Sequence, residues 1–424
     1  MKITRPDWMT LGATAVVAAL ITLVTKNFVS GEKKIRKRIP RMYSIKDPQF
    51  ERSMSQLLGP PILSGNRITP LNNGVEIFPA MLAGIARAKT SITFETYVFC
   101  SGEVAELFSH ALAAKAREGV KVHVLIDGMG CDCVEGEALR RMTDAGVEVE
   151  VYHLKTLGRF NQRTHRKLLV IDGWLGFTGG VGIADEWMGS ADAPEHWRDT
   201  HYQVEGPVVA QFQAAFLDNW MKTHATVLHG DAYFPVIAEQ GPHRCQMFKS
   251  SPMEGSESAR LMYLLSITAA EKSLRVGNAY FVPDDLVTET LIAAVRRGVT
   301  VEVMVPGPHL DSILVRHSSR HRWGSLLENG VRIYEYQPTM YHCKVMIIDD
   351  LWVSVGSANF DNRSFRLNDE ANLNVFGREF ALRECEEFRK DKENAREVTW
   401  EQWKRRPLAQ KAADAAVALV RSQV

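Results

Sequence analysis

The sequence predicts an α/β protein of two similar halves, each a mixed sheet flanked by helices, preceded by an N-terminal membrane anchor. Three observations carry this. The pattern His-x-Lys-x-x-x-x-Asp occurs twice, as His165, Lys167, Asp172 and as His342, Lys344, Asp349. Apolar strands alternate with helical segments in the same order before each copy, and the chain opens on an apolar run followed by basic residues. A triplet at this spacing arises by chance at roughly one start position in 10⁴, so a single copy would carry little weight and two in matching surroundings carry much.

The opening run, residues 9–25, is about 17 residues long, near the lower limit for crossing a bilayer. Lys2 and Arg5 precede it, as they would in a cleaved signal peptide, but no small-x-small cleavage site follows. Lys26, Lys33, Lys34, Arg36, Lys37, Arg38 and Arg41 crowd the segment behind it. This excess of positive charge after the run predicts a single anchor in the cell (inner) membrane with the catalytic body in the cytoplasm. The same cations would attract anionic lipid heads; the alternative is a solvated charge run.

With 424 residues and 45% hydrophobic content the chain can bury two sizeable cores, and it divides into residues 1–42, 43–230 and 231–424. Its net charge of +1 gives no global pull toward nucleic acid. Residues 43–72 are rich in Gly, Pro and polar groups and are expected to wrap onto the first half. Strand 91–99, helix 104–118, strand 120–126, helix 137–145 and strand 147–152 then lead to the first motif. Helix 259–270, strand 273–282, helix 286–297, strand 299–305, helix 316–328 and strand 331–336 lead to the second, with the halves dividing near 226–242. Such alternation implies mostly parallel sheets covered by helices. The terminal stretch 408–420, rich in alanine, suits packing on the second half, with a membrane surface or a neighbouring protomer as the alternatives.

In each motif the residues after the lysine read as a strand, a turn at Asp172-Gly173 or Asp349-Asp350, and a returning strand. Side chains alternate along a strand, so His165 and Lys167 point to one side, as do His342 and Lys344. With two-residue turns, register arithmetic sets His165 opposite Gly180 and His342 opposite Ser357, with Asn359 just beyond. Gly180, Ser357 and Asn359 are therefore candidate phosphate-binding positions. Imidazole, ammonium, hydroxyl, amide and glycine backbone together suit a phosphodiester, whose oxygens want positive charge and donors. A neutral imidazole can attack phosphorus while a protonated one donates to the departing alkoxide. Lys167 and Lys344 would stabilise the equatorial oxygens, a role filled elsewhere by metal ions, so neither metal nor cofactor is expected.

A histidine nucleophile needs its other ring nitrogen held by an acceptor. Aligning the halves at Gly206 and Gly377 pairs Asp199 with Glu370, which are taken as the orienting carboxylates. The candidate catalytic set is therefore His165, Lys167, Asp172, Asp199, His342, Lys344, Asp349 and Glu370. Within it Asp172 and Asp349 lie up to ~20 Å of strand from their histidines, which suits fixing the turn better than touching substrate.

These residues resemble the phospholipase D superfamily, closest in wording to its bacterial cardiolipin synthase branch. Supporting stretches are Thr-His-Arg-Lys at 164–167, Phe-Thr-Gly-Gly-Val at 177–181, Trp-Arg-Asp-Thr-His at 197–201, Tyr-Phe-Val-Pro at 280–283 and Gly-Ser-Ala-Asn-Phe-Asp-Asn-Arg-Ser at 356–364. The resemblance covers roughly residues 45–400. It implies two phospholipase D-type halves meeting at one active site, a phosphohistidine intermediate, and the joining of two phosphatidylglycerol molecules into cardiolipin with release of glycerol. It also implies anionic membrane phospholipids as substrates, His165 as nucleophile and His342 as acid and then base. One departure stands out: where the family has Asn after Gly-Gly-x, this chain has Gly182, whereas Asn359 is kept. The missing amide either lowers turnover or is replaced by another side chain such as Arg163.

The motifs alone leave a hydrolytic phospholipase D, which differs only in using water as second nucleophile. A nuclease is disfavoured by the anchor and by the lack of a basic stripe. A non-catalytic lipid-binding protein has no need of both histidines. The six cysteines, at 100, 131, 133, 245, 343 and 385, show no framework spacing and fit a reducing compartment. Cys131 and Cys133 read as loop thiols rather than metal ligands, and His123, His153 and His309 as strand or loop residues.

Overall fold

A computed structural model describes residues 14, 16–18, 20, 22, 35, 37–130, 136–152, 162–252 and 258–417. Most of the predicted anchor and most of the basic cluster lie outside these residues, as do Cys131, Cys133 and His153. Among the described residues no helix is long and apolar enough to cross a membrane.

The chain runs through α1 (Pro48–Leu57), β1 (Leu63–Asn72), α2 (Asn73–Arg87), β2 (Ser91–Thr96), α3 (Glu103–Arg117), β3 (Lys121–Asp127), α4 (Gly136–Asp144) and β4 (Glu148–Tyr152). The first motif follows in β5 (Arg163–Thr164), β6 (Leu168–Ile171), β7 (Leu175–Gly179) and β8 (Thr200–Glu205), and α5 (Val209–His224) leads out. The second half repeats this plan with β9 (His243–Ser250), α6 (Ser258–Ala269), β10 (Ser273–Asn278), α7 (Asp285–Arg296), β11 (Thr300–Pro306), α8 (Ile313–Glu328) and β12 (Arg332–Tyr336). Its motif occupies β13 (Lys344–Ile348), β14 (Trp352–Gly356), α9 (Asn362–Arg366) and β15 (Asn368–Phe376). The chain then forms α10 (Arg378–Glu393), β16 (Ala395–Val398), α11 (Trp400–Lys404) and α12 (Leu408–Val417).

Among the described residues all strands join one sheet, in the order β16-β12-β11-β10-β13-β14-β15-β9-β1-β8-β7-β6-β2-β3-β4, with β5 on β15. The two halves meet at the antiparallel β1–β9 pair and are otherwise arranged alike on either side of it. The expectation of mostly parallel sheets is corrected. Parallel pairing along this path is confined to β2-β3-β4 and β10-β11-β12, because only there does a helical crossover join strands that are neighbours in the sheet. A single apolar cluster containing Leu168, Val170 and Phe212 from one half and Ile347, Val353 and Leu373 from the other welds the sheet across its middle.

Residues 43–72 join the first half only in part, through β1 on β8, rather than wrapping onto it throughout. They form α1 and β1, and α1 buries Phe50 and Met54 in the second-half core. Phe50 lies edge-on to Trp352 at 6.0 Å between centroids. The Gly and Pro residues there, Gly59, Pro60 and Pro61, only turn the chain from helix to strand. In the basic segment Arg41 is engaged in an ion pair with Glu271 at 2.6 Å. Helix α12 packs on the second half, where Asp414 accepts from His317 at 2.6 Å. Cys100 is disulfide-bonded, while among the described residues Cys245, Cys343 and Cys385 are free thiols, which corrects the reading of six reduced cysteines.

The motif hairpins are each one residue longer than expected. Ile171 pairs with Leu175 and Ile348 with Trp352, leaving Trp174 and Leu351 as extra residues in the connection. Asp172 and Gly173, like Asp349 and Asp350, take positive φ, and the Trp174 and Leu351 amides donate back to Ile171 and Ile348. The extra residue shifts the predicted register by one, which in a strand turns a side chain to the opposite face.

Asp172 and Asp349, carried in the candidate catalytic set, tie the hairpin turn to the neighbouring strand, the role their distance from the histidines suited. Asp172 accepts from the backbone amides of Lys89, Thr90 and Ser91 at 2.7–3.1 Å. Asp349 does the same for Glu271, Lys272 and Ser273 at 2.7–2.9 Å. These amides open β2 and β10 and would otherwise lack partners. Burial works against the Asp172 anion, yet those donors hold its carboxyl below the usual range.

Candidate active site

The segments that carry the histidines pair across the halves. Strand β5 lies parallel to the start of β15, with Thr164 opposite Asp369, and an isolated bridge sets Arg198 beside Tyr341 in the same sense. The His165 amide donates to the Asp369 carbonyl at 2.9 Å, and the His342 amide to the Arg198 carbonyl at 2.7 Å. Each histidine is thus bonded to the residue just before the other half's orienting carboxylate.

The side chains follow. His165 Nδ1 lies 3.0 Å from Glu370 Oε2, and His342 Nδ1 lies 2.8 Å from Asp199 Oδ2. Both carboxylates are fully buried, so each is an acceptor for Nδ1–H and leaves Nε2 for chemistry. One cleft is lined by both imidazoles and by Tyr97, Arg163, Lys167, Trp187, Trp197, Tyr280, Asp311, Asn359, Asp361, Arg363 and Asn368. Lys167 and Lys344 fold back so that Nζ donates to the carbonyl of its own histidine, at 2.9 and 2.6 Å. Lys344 Nζ also sits 3.2 Å from His342 Nε2.

Electrostatics match this crowding. Burial pushes the His165 imidazole down to about 4, against the pull of Glu370, so it is neutral and nucleophilic near pH 7. Burial and then the Lys344 ammonium push Lys167 down to about 7. His342 is lowered by burial and by Lys344. Burial alone would raise Asp199, but the hydrogen bond and charge of His342 hold it below the carboxylate range. Burial and mutual repulsion thus hold these imidazole and amine groups toward their neutral forms, and an anion placed among them would favour the charged forms of the lysines.

Of the predicted phosphate-binding residues, Asn359 lines the cleft, whereas Gly180 and Ser357 support the carboxylates. Ser357 Oγ donates to Glu370 Oε2 at 2.5 Å, with Ser364 Oγ at 2.7 Å and Asn368 Nδ2 at 3.2 Å on the other oxygen. At Gly180 any Cβ would meet the Asp199 carboxylate at 2.5 Å, so the glycine is what lets Asp199 sit there. His123 is bonded to Glu148 and Tyr233, and neither it nor His309 lines the cleft. Among the described residues no group of His, Cys, Asp or Glu is arranged to hold a metal ion.

Sequence reasoning missed the aromatic residues. Trp187 and Trp197 pack on His342 with centroids 5.2 and 5.3 Å away, and Tyr97 packs on His165 at 5.1 Å. Trp187 Nε1 donates to Asp199 Oδ2 at 3.0 Å. The departure at Gly182 has its physical reason here. A Cβ would meet Val98 Cβ at 2.7 Å and the six-membered ring of Trp187 at 3.2 Å. The indole fills the space that a longer side chain at 182 would need and itself supplies a donor to the orienting carboxylate. Arg163 also lines the cleft, with Nη1 donating to Tyr97 Oη at 2.9 Å. Trp187→Phe keeps the ring and removes the donor. It is expected to lower turnover about tenfold with the fold intact, since a hydrogen bond to a charged group is worth roughly 1.5–3 kcal/mol. Steady-state kinetics at wild-type level would remove the indole N–H from this role.

The comparisons with known proteins agree with this geometry. A sequence profile of the family described as "Cardiolipin synthase, PLD-like domain" matches residues 81–216 and 263–392. The chain is 35% identical over 355 residues to "Cardiolipin synthase A" of Pseudomonas putida, covering 82% of this chain and 73% of that protein. It is 32% identical over 366 residues to "Cardiolipin synthase" of Geobacillus kaustophilus, covering 85% and 73%. In fold it is similar to phosphatidylserine synthase of Haemophilus influenzae, with a TM-score of 0.68 at 15% identity over 89% of this chain and 100% of that one. With its two matched segments falling one in each half and its similarity to the bacterial enzymes extending over four-fifths of its length, the chain belongs to the cardiolipin synthase family with phospholipase D-like domains.

Proposed function

We propose that this protein is a phosphatidyltransferase that joins two phosphatidylglycerol molecules into cardiolipin and releases glycerol. The carrying observation is the pair of crossed histidine–carboxylate contacts opening on one cationic cleft. His165 Nε2 attacks phosphorus, and the P–O bond to glycerol breaks as His342, protonated, donates to the departing oxygen. His342, now neutral, takes the proton from the hydroxyl of a second phosphatidylglycerol. That oxygen attacks the phosphohistidine, breaking the P–N bond and restoring His165. Lys167, Lys344 and Asn359 stabilise the phosphoryl oxygens through both steps. Residues 43–230 and 231–424 serve as the two halves, and residues 9–25 as the single anchor that keeps the body at the cytoplasmic face of the inner membrane.

Product analysis tests this. Phosphatidylglycerol vesicles should yield cardiolipin and glycerol in equal amounts, and phosphatidic acid as sole product would reject transfer in favour of hydrolysis. The electrostatics give a second expectation. In the empty cleft Lys167 is largely uncharged above about pH 7, and a bound phosphodiester would favour its charged form. Binding of a non-reactive phosphodiester should therefore take up protons at pH 8, with the uptake fading below pH 6, where the ammonium is already charged. Calorimetry in buffers of different ionisation enthalpy measures this, and proton release at pH 8 would contradict the scheme.

A further inference from the structure

Helix α8 connects the cleft to a second charged cavity. Asp311, at the cleft, precedes the Ser312 cap of α8, and Arg316 and Arg320 follow on one face of the helix. With Glu335 of β12, Arg396 of β16, Gln402 and Trp403 of α11, Arg406 and Gln410, Arg320 lines a cavity of about 350 Å³. That is far above the roughly 10–15 Å³ one water needs, so a hydrated anion fits. The cavity begins about 12 Å along the helix from its cap, at 1.5 Å per residue, and shares no lining residue with the catalytic cleft.

Its charges do not balance. Glu335, buried at 2% side-chain exposure, is the one carboxylate in the lining and already receives Arg316 at 3.2 Å, Arg320 at 3.5 Å and Arg396 at 2.5 Å. Arg406 lies 4.0 Å over the Trp403 ring and pairs with Asp414 at 2.9 Å, an acid that His317 shares at 2.6 Å. Arg406 Nε is buried with no hydrogen-bond partner. Burial and the neighbouring Arg320 charge also hold Arg316 below the usual guanidinium range. Four guanidiniums, Arg316, Arg320, Arg396 and Arg406, thus meet two buried carboxylates, Glu335 and Asp414, with fork-shaped donor sets left over.

We propose that this cavity is an accessory binding site for a phosphate-bearing anion, gripped by Arg320, Arg396 and Arg406. Guanidinium forks match phosphate oxygens in pairs, and a dianion would neutralise the excess that Glu335 and Asp414 leave. The anion is either free phosphate or the head of an anionic lipid. The site does not depend on the transferase reading, because it rests on residues outside the cleft.

Titration of the full chain with inorganic phosphate by calorimetry tests it. Wild type should show two classes of site, one in the cleft and one here. Arg396→Gln should weaken one class at least about tenfold, or 1.4 kcal/mol, and leave turnover unchanged. Arg396 is 64% exposed and Glu335 keeps two other partners, so this variant folds, as an unchanged melting curve would confirm. Arg406→Gln should act on the same class. Flotation with phosphatidylglycerol against phosphatidylcholine vesicles separates the sources. A loss specific to phosphatidylglycerol in Arg396→Gln assigns a lipid head, and unchanged flotation assigns free phosphate. A single class of site in wild type, or two classes untouched by both substitutions, would overturn the proposal.

Discussion

His165→Ala is expected to lower lipid transfer by at least about 10⁴-fold, some 5.4 kcal/mol of transition-state stabilisation, because it removes the nucleophile. His342→Ala should cost a similar factor with natural substrate, yet the two variants differ in what they accumulate. A phosphodiester with an activated leaving group needs no proton donor, so His342→Ala should still form the phosphoenzyme and then stall. The product is an acid-labile, alkali-stable phosphoramidate, and peptide mass spectrometry should place it on His165. His165→Ala should form none. Label found on His342 in the His165→Ala protein would exchange the two roles. The burial that pushes His165 down to about 4 keeps it ready for attack across the neutral range, so the acid limb of the phosphoenzyme-forming step should fall below pH 6.

The crossed carboxylates give the second large effect. Asp199→Asn and Glu370→Gln keep shape and remove the charge that holds Nδ1–H, which allows the wrong tautomer and should lower turnover by about 10²–10⁴. Because Asp199 holds His342 at 2.8 Å, Asn at 199 should slow breakdown of the phosphoenzyme, although the two residues belong to different halves. Glu370→Gln should slow its formation, because Glu370 holds His165 at 3.0 Å. Rapid-quench measurement with an activated substrate separates the two steps. The crossed arrangement predicts that Asp199→Asn and His342→Ala are strongly non-additive. If Asp199→Asn instead suppressed phosphoenzyme formation, the carboxylate would be acting within its own half.

The asymmetry between the two carboxylates bears on these roles. Glu370 is surrounded by Ser357, Ser364 and Asn368, a polar setting for the acceptor of a neutral histidine. Asp199 and His342 are bordered by Trp187 and Trp197, an aromatic setting that the Glu370 side lacks. Gly180 and Gly182 belong to the same adaptation, since a side chain at either would displace Asp199 or Trp187.

Local chemistry made much of this legible in the sequence. Strands β2, β3, β10 and β11 and helices α3, α4 and α7 lie within a few residues of their predicted bounds, because apolar periodicity and Gly119, Gly146, Gly298 and Gly330 at the helix ends are short-range signals. The pairing of His165 with Lys167 and of His342 with Lys344 on one side of a strand follows from alternation alone. The family and its doubled motif were readable for the same reason.

What required tertiary structure depended on residues far apart in sequence. Glu370 is 205 positions from His165 and Asp199 is 143 from His342, so no local signal could say which acid serves which base. Helix α1 found its partner in Trp352 of the other half, and Trp187 took up a donor role that a tryptophan in a loop does not announce. The extra residue in each hairpin turn moved Gly180 and Ser357 from the predicted phosphate contacts to the carboxylates behind them. Periodicity and motif spacing fix which groups a chain possesses and which way a strand presents them. Which groups meet is decided by packing across the β1–β9 seam, where burial free energy is summed over the whole sheet rather than over any one segment.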